Sequence, residues 1–93
     1  MESKERKAIL LVSFGTSVAE TRKHTIDAFA ALVQRAYPHW EIRQAYTSEV
    51  ILGILKKRDG IFIDTIPEAL KRLKKDGFTN IIIQPTHIIN GIE

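Results

Sequence analysis

Residues 8–14 (AILLVSF) form a continuous apolar run near the start of this chain. Such a run is typical of a β-strand covered on both faces, as in parallel sheets flanked by helices. It stops at Gly15-Thr16-Ser17, and the residues Ser17–Glu20 match the capping-box pattern that begins a helix. The sequence therefore predicts a strand that enters a helix through a tight polar turn.

Two further segments continue this alternation. Beyond the capping box at Ser17–Glu20, apolar residues recur at helical spacing from Ile26 to Tyr37, which predicts one helix of about five turns that ends at Pro38. Residues 40–46 alternate imperfectly and predict a second strand, less buried than the first. A second helix is predicted over residues 50–55, closed by Asp59-Gly60.

The last third of the chain repeats the pattern after a short apolar connector. Thr65–Glu68 is a second capping box with proline in the first turn, and Gly77 occupies the position expected just after the helix that follows. Residues 80–84 predict a third strand of central character, ended by Pro85.

The predicted order β-α-β-α-α-β indicates an α/β, flavodoxin-like fold of three layers with a parallel sheet and right-handed crossovers. We expect residues 8–14 in the centre, 40–46 on one side and 80–84 on the other. The 93 residues allow one domain, residues 1–93. Domains of this kind usually contain at least one more βα unit, so we expect this one to be incomplete.

The composition disfavours several classes of protein. The chain has no cysteine, so it can form neither a disulfide nor a thiolate metal site, which favours the cytoplasm. No stretch approaches the roughly 18 apolar residues of a membrane span, and no membrane partner is expected. The net charge of +3 comes mostly from Lys56-Lys57-Arg58 and Lys71–Lys75. These clusters fall opposite apolar helical positions, which favours a solvated face over nucleic-acid binding.

Three polar segments, residues 14–17, 47–49 and 85–91, fall at the carboxyl ends of the predicted strands, where parallel α/β sheets bind ligands. Helix starts at this edge favour carboxylates or phosphates. The candidate substrate-binding residues are Ser13, Phe14, Gly15, Thr16, Ser17, Thr47, Ser48 and Pro85. The alternative is that the hydroxyls in this set only cap helices.

His87 is the candidate catalytic residue, because it follows the third strand in a loop at this edge and imidazole can bind metal or transfer protons. The candidate metal ligands are His87 and Glu93, which are too few for a closed site, so a partner domain or subunit would supply the rest. A structural role for His87 stays open. His24 and His39 are expected to be incidental.

The sequence contains no established nucleotide-binding fingerprint, neither GxGxxG nor GxxxxGK followed by Ser or Thr. No nucleotide cofactor is therefore expected. A flavodoxin-like module that holds the phosphate of flavin mononucleotide on Ser13–Ser17 remains an alternative.

Several ordered blocks resemble one family. The residues Ile9–Ser17 and Thr21–Ala28 closely resemble the opening of the anaerobic-type sirohydrochlorin cobaltochelatases, which are class II chelatases, and so do Arg43–Ser48 and Lys57–Gly60. Gln84–Glu93 is similar to the histidine loop of that family. Together these blocks cover nearly the whole chain.

The resemblance implies insertion of cobalt(II) into sirohydrochlorin on the cobalamin pathway, with nickel, iron or haem as further candidates. It implies a bilobal fold of two similar α/β halves, of which this chain is the N-terminal half. The metal-binding histidines of the family come mainly from the other half, so we expect this half alone to be poorly active or inactive. Related short chelatases carry a histidine where this sequence has Phe14, whereas His87 matches the second histidine of the half.

An incomplete parallel sheet would leave strand groups unpaired. We therefore expect a homo-oligomer, or pairing with a C-terminal half. A non-catalytic fragment that self-associates through its sheet edge is the remaining alternative.

Overall fold

The computed structural model of the chain describes residues 6–86. Its sheet contains the strands β1 (Lys7–Ser13), β2 (Glu41–Tyr46) and β3 (Asn80–Pro85), in the order β2-β1-β3. Both pairings are parallel, with Leu10 opposite Arg43 on one side and opposite Ile83 on the other. The predicted α/β fold, with the first apolar run in the centre of a parallel sheet, is confirmed.

The helices cover both faces of this sheet. Apart from Lys7, every residue of β1 is buried, whereas β2 is buried only at its last two residues, Ala45 and Tyr46. Ala45 packs into a core cluster with Leu73, while Tyr46 packs into a second cluster with Leu55. Because consecutive strand residues point to opposite faces, the two clusters lie on opposite sides of the sheet.

The predicted five-turn helix is wrong in one respect, because it is divided into α1 (Ala19–His24) and α2 (Ile26–Ala36). Thr25 lies between them with φ −121° and ψ −73°. Its amide and its hydroxyl both donate to the Thr21 carbonyl oxygen. A threonine hydroxyl that bonds back to residue i−4 often bends a helix, which accounts for the break.

The second helix is α3 (Glu49–Ile54), which runs into a π-helical turn over Leu55–Asp59. Gly60 closes the turn in the left-handed region, with φ 67°, as the Asp59-Gly60 pair predicted. The connector that follows is extended, and Asp64 forms a parallel bridge with Ala45. It therefore covers part of the outer edge of β2.

The third helix, α4 (Ile66–Lys75), confirms the predicted capping box. The amide of Glu68 donates to the Thr65 hydroxyl at 3.4 Å, and the Thr65 amide donates to the Glu68 carboxylate at 2.9 Å. These hydrogen bonds lower the pKa of the Glu68 carboxyl. Gly77 follows the helix with φ 94°, as expected for the position after the C-cap.

The position predicted for residues 80–84, beside β1 and opposite β2, is confirmed, but the burial expected of a central strand is not found within residues 6–86. β3 is the last strand of the sheet on its side, and Ile82 and Ile83 are 48% and 47% exposed. The apolar run predicted burial on both faces, but within this strand only Ile81 is half-buried, against the core cluster that contains Leu73 of the third helix. None of the helices within residues 6–86 is long and apolar enough to cross a bilayer.

Candidate functional site at the carboxyl edge of the sheet

Backbone hydrogen bonds hold the ends of the three strands together. Beyond β2, the amide of Thr47 donates to the Ser13 carbonyl oxygen at 2.9 Å, and the amide of Ser48 donates to Phe14 at 3.2 Å. Beyond β3, the amide of Thr86 donates to the carbonyl oxygen of Val12 at 2.8 Å. The described residues of the three segments predicted to form the ligand edge therefore meet at one edge of the sheet.

Gly15 allows the turn after β1 to lie directly on an aromatic ring. Its φ is 103°, and a Cβ atom built on it would stand 2.5 Å from Cδ2 of Tyr46. No side chain fits there without displacing the ring. The buried Tyr46 ring therefore fixes how closely the turn that contains Phe14 and Thr16 can pack against the sheet.

The predicted hydroxyls divide into two groups. Thr16 and Ser48 are each only 8% exposed, and both bond to nearby backbone. The Thr16 hydroxyl accepts from the amide of Val18, and the Ser48 hydroxyl accepts from the amide of Ile51 and caps α3. For Ser48 the structure supports the capping alternative, whereas the Thr16 hydroxyl accepts within the turn that precedes α1.

Ser17 and Thr47, in contrast, lie nearer to the surface, half-buried and exposed respectively. The capping box predicted at Ser17–Glu20 is wrong. The N-cap of α1 is Val18, whose side chain cannot cap, and the Val18 amide donates to the Thr16 hydroxyl. The side chain of Ser17 is thus not required as a helix cap.

Phe14 provides the apolar part of this edge. It follows β1 directly and is 59% exposed, although it succeeds six buried residues. Pro85, the last residue of β3, is also exposed. An exposed aromatic ring beside polar groups fits a flat ligand that carries charged substituents.

Arg58 is a residue of this edge that the sequence did not single out. Its guanidinium donates to the carbonyl oxygen of Ser17, and it pairs with the Asp59 carboxylate at 2.7 Å. The hydrogen bond from Arg58 lowers the pKa of the Asp59 carboxyl. Arg58 belongs to the Lys56-Lys57-Arg58 cluster, and nothing in the sequence indicates that it reaches a turn 41 residues earlier.

Tyr46 is the second residue that the sequence analysis missed. Its hydroxyl is buried without a hydrogen-bond partner among the described residues, and so is Nη1 of Arg22. Burial raises the pKa of Tyr46 to about 12, a shift that the nearby Arg22 charge opposes. The phenol is therefore a neutral group at physiological pH.

We expect Tyr46 to make the stability of the protein fall between about pH 10 and about pH 12. In this window the unfolded chain loses the phenol proton while the folded chain keeps it, so unfolding is favoured by up to about 2 kcal/mol. Urea denaturation of Tyr46→Phe measures this effect, because the lysines that also titrate are common to both proteins. The variant is expected to match the parent at pH 7 and to lose less stability at high pH. Equal losses in the two proteins would contradict the assignment.

The predicted metal ligands His87 and Glu93 lie outside the described residues. Within residues 6–86, no group of three or more histidine, aspartate or glutamate side chains is placed to hold a metal ion. The exposed residues His24 and His39 belong to the end of α1 and to the turn before β2.

The fold defines the class of protein as a parallel α/β fold with a polar, partly aromatic edge where the strands end, which is the edge at which ligands bind in folds of this class. Comparison with known families then gives the particular family. The family model described as cobalt chelatase (CbiK) matches residues 7–93. The chain therefore belongs to the cobalt chelatase family, which confirms the resemblance seen in its motifs.

Two curated relatives support this assignment. A sirohydrochlorin cobaltochelatase of Salmonella typhimurium is 42% identical over 88 residues, which cover 95% of this chain and 33% of the relative. The sirohydrochlorin cobaltochelatase CbiKC of Nitratidesulfovibrio vulgaris is 29% identical over 91 residues, covering 95% of this chain and 30% of the relative. The chain thus spans about a third of the length of these relatives.

Proposed function

We propose that residues 1–93 form the N-terminal lobe of a sirohydrochlorin cobaltochelatase, which inserts cobalt(II) into sirohydrochlorin in the cytoplasm during cobalamin biosynthesis. Family membership and the names of the two relatives support this proposal. The structural observation that carries it is the exposed ring of Phe14 at the carboxyl edge of the sheet. There it can form an apolar wall beside a flat macrocycle.

The polar groups of the same edge suit the rim of this substrate. Sirohydrochlorin bears eight carboxylates, and hydroxyls such as those of Ser17 and Thr47 can donate hydrogen bonds to them. Arg58 adds a positive charge beside Ser17, although it is partly neutralised by Asp59. In this proposal the lobe positions the ring through its periphery and leaves the centre open to the metal.

Metal insertion also requires a proton balance. Cobalt(II) binds the four ring nitrogens while two pyrrole N–H bonds break, so two protons must leave the ring. We assign one proton acceptor, and an auxiliary ligand for the arriving metal, to His87, with Glu93 as a second candidate ligand. Three protein ligands are usual where a catalytic metal keeps an open position, so the remaining two-thirds of the relatives' length would supply the others.

The test is a titration of the chain with sirohydrochlorin, followed by absorbance, with and without cobalt(II). We expect Phe14→Ala to weaken ring binding about tenfold, the size of effect known for removal of a stacking aromatic side chain. Leu32→Ala is the matched control, because Leu32 is 57% exposed but lies on α2. Both variants should unfold within about 0.5 kcal/mol of the parent, as exposed substitutions do.

Several outcomes of this titration would reject the proposal. Equal binding by the parent and the Phe14→Ala variant would remove Phe14 from the site. Purification of the chain as a yellow protein with bound flavin mononucleotide would favour the flavodoxin-like alternative. Nickel, iron and haem can be compared with cobalt(II) in the same assay.

We further propose that β3 is completed by another copy of the chain or by a C-terminal half. Two observations support this: Ile82 and Ile83 are about half exposed, and no described strand pairs with the outer edge of β3. Light scattering is expected to show a dimer or a larger species, and Ile83→Lys should shift it toward monomer, because a charge on an edge strand opposes pairing. A clean monomer of the parent at high concentration would contradict self-association.

A further inference from the structure

A second concave surface lies away from the carboxyl edge of the sheet. A groove of about 840 Å³ opens between α3 with its π-helical turn on one side and α4 on the other, with residues 61–65 as its floor. None of the candidate strand-edge residues lines it, and its nearest link to them is Glu49, which follows Ser48. A groove of this volume is in the range of small-molecule sites.

The first half of the floor, Ile61–Ile63, is apolar and carries an exposed aromatic ring. Ile61 and Ile63 are half-buried against the cluster that contains Tyr46. Between them Phe62 points outward and is 72% exposed. The Lys56 ammonium lies 5.7 Å from the centre of its ring. Because Ile61 and Ile63 hold the backbone on either side, the exposed ring of Phe62 offers a surface on which a planar ligand can stack.

Two of the acidic groups in the groove are already engaged. The Asp64 carboxylate pairs with the Arg72 guanidinium at 2.9 Å. The Glu68 carboxylate accepts the amide of Thr65 in the capping box of α4. The Asp64 charge is therefore compensated by Arg72, whereas the Glu68 carboxylate accepts from a neutral amide and keeps its negative charge beside the groove.

The lysines of the rim are not compensated in the same way. Lys56, Lys71 and Lys75 line the groove, and none of them forms an ion pair with a carboxylate of residues 6–86. Glu49 and Glu68 oppose them, and the charge of Lys56 contributes to the lowered pKa of the Glu68 carboxyl. The lining still holds four cationic side chains against three carboxylates. The groove thus combines an apolar, aromatic floor with a positive rim, which is complementary to a flat apolar body with peripheral carboxylates.

We propose that this groove is a second binding site, specific for a planar polycarboxylate of the tetrapyrrole class. The choice of the tetrapyrrole class rests on the proposed function, whereas the complementarity of the groove does not. A ring held there would stack on Phe62 and place its carboxylates near the three lysines. Because α3 begins at the strand edge, the groove would keep a second ring within reach of the first site.

The probe is uroporphyrin, a porphyrin with eight carboxylates, titrated into the 93-residue chain at low ionic strength and followed by absorbance and fluorescence. The test pair is Lys71→Gln with Lys75→Gln, both on α4 and both lining the groove. The matched pair is Lys57→Gln with Lys74→Gln, which removes the same charge from the π-helical turn and from α4 at positions that do not line the groove. We expect the test pair to weaken binding about five- to tenfold and the matched pair to leave it nearly unchanged. Phe62→Ala should weaken it about tenfold.

The remaining outcomes separate this inference from the proposed function. Equal weakening by the two lysine pairs would indicate general charge attraction and would overturn the site, as would the absence of uroporphyrin binding. If Phe14→Ala alone weakened binding, the strand-edge proposal would stand and the groove would not. If the groove variants alone weakened it, the groove would stand without the strand edge. Circular dichroism of each variant confirms that it is folded.

Discussion

Replacement of Gly15 by alanine is expected to lower the free energy of unfolding by about 3 kcal/mol. Two effects add at this position. The φ of 103° is a conformation that L-residues rarely adopt, which costs about 1–2 kcal/mol. The new Cβ would also stand 2.5 Å from Tyr46, and overpacking in a filled core costs about 1–3 kcal/mol. Urea denaturation at neutral pH measures the sum.

Two other glycines separate these effects. Gly60 also has a positive φ, 67°, but no atom lies within 4 Å of a Cβ built on it, so Gly60→Ala should cost only the conformational part, about 1 kcal/mol. Gly53 lies within α3 and has equal space, so Gly53→Ala should stabilise the chain by about 0.5–1 kcal/mol. If Gly15→Ala cost no more than Gly60→Ala, the contact with Tyr46 would not constrain the turn.

The Gly15 result also bears on the strand edge. The turn that Gly15 allows positions Phe14, whose carbonyl oxygen accepts the amide of Ser48. An alanine that lifts the turn off the Tyr46 ring would therefore displace both the aromatic ring and the start of α3. Ring binding by any Gly15→Ala protein that still folds should weaken at least as much as in Phe14→Ala.

The strands could be predicted because their signals are local. β1 is a continuous apolar run between polar ends, and its predicted and observed bounds differ by one residue at each end. The capping box of α4 is likewise contained within four consecutive residues, Thr65–Glu68. Features of this kind depend on residues that are adjacent in the sequence, so they can be predicted from it.

The features that were missed depend on tertiary context. Thr25 is an ordinary helical residue in sequence, and only its bond back to Thr21 reveals the bend. The burial expected for residues 80–84 needs neighbours that the described part of the chain does not contain. Tyr46 contributes to the strand edge because its ring packs against Gly15, and Arg58 because it donates a hydrogen bond to Ser17. Neither contact can be predicted from a pattern along the chain.

His87→Ala is expected to have the largest effect on activity. The residue before it, Thr86, is held at the strand edge by its hydrogen bond to Val12, and the loop resembles the histidine loop of the chelatases. The assay needs a full-length protein, so residues 7–93 replace the matching segment of the Salmonella typhimurium relative. In this chimaera His87→Ala should slow cobalt insertion by about a hundredfold or more, as loss of a positioned proton acceptor does.

Three measurements distinguish catalysis from structure at this position. His39→Ala is the matched control, because His39 is exposed in the turn that precedes β2, at the opposite edge of the sheet, and this variant should keep full activity. The His87→Ala protein should unfold within about 1 kcal/mol of its parent, as a surface substitution does. Added imidazole should restore part of its rate, because a free base can replace the missing side chain.

A variant that inserts cobalt normally but unfolds much more easily would show that His87 is structural. The proton acceptor would then have to come from the rest of the enzyme.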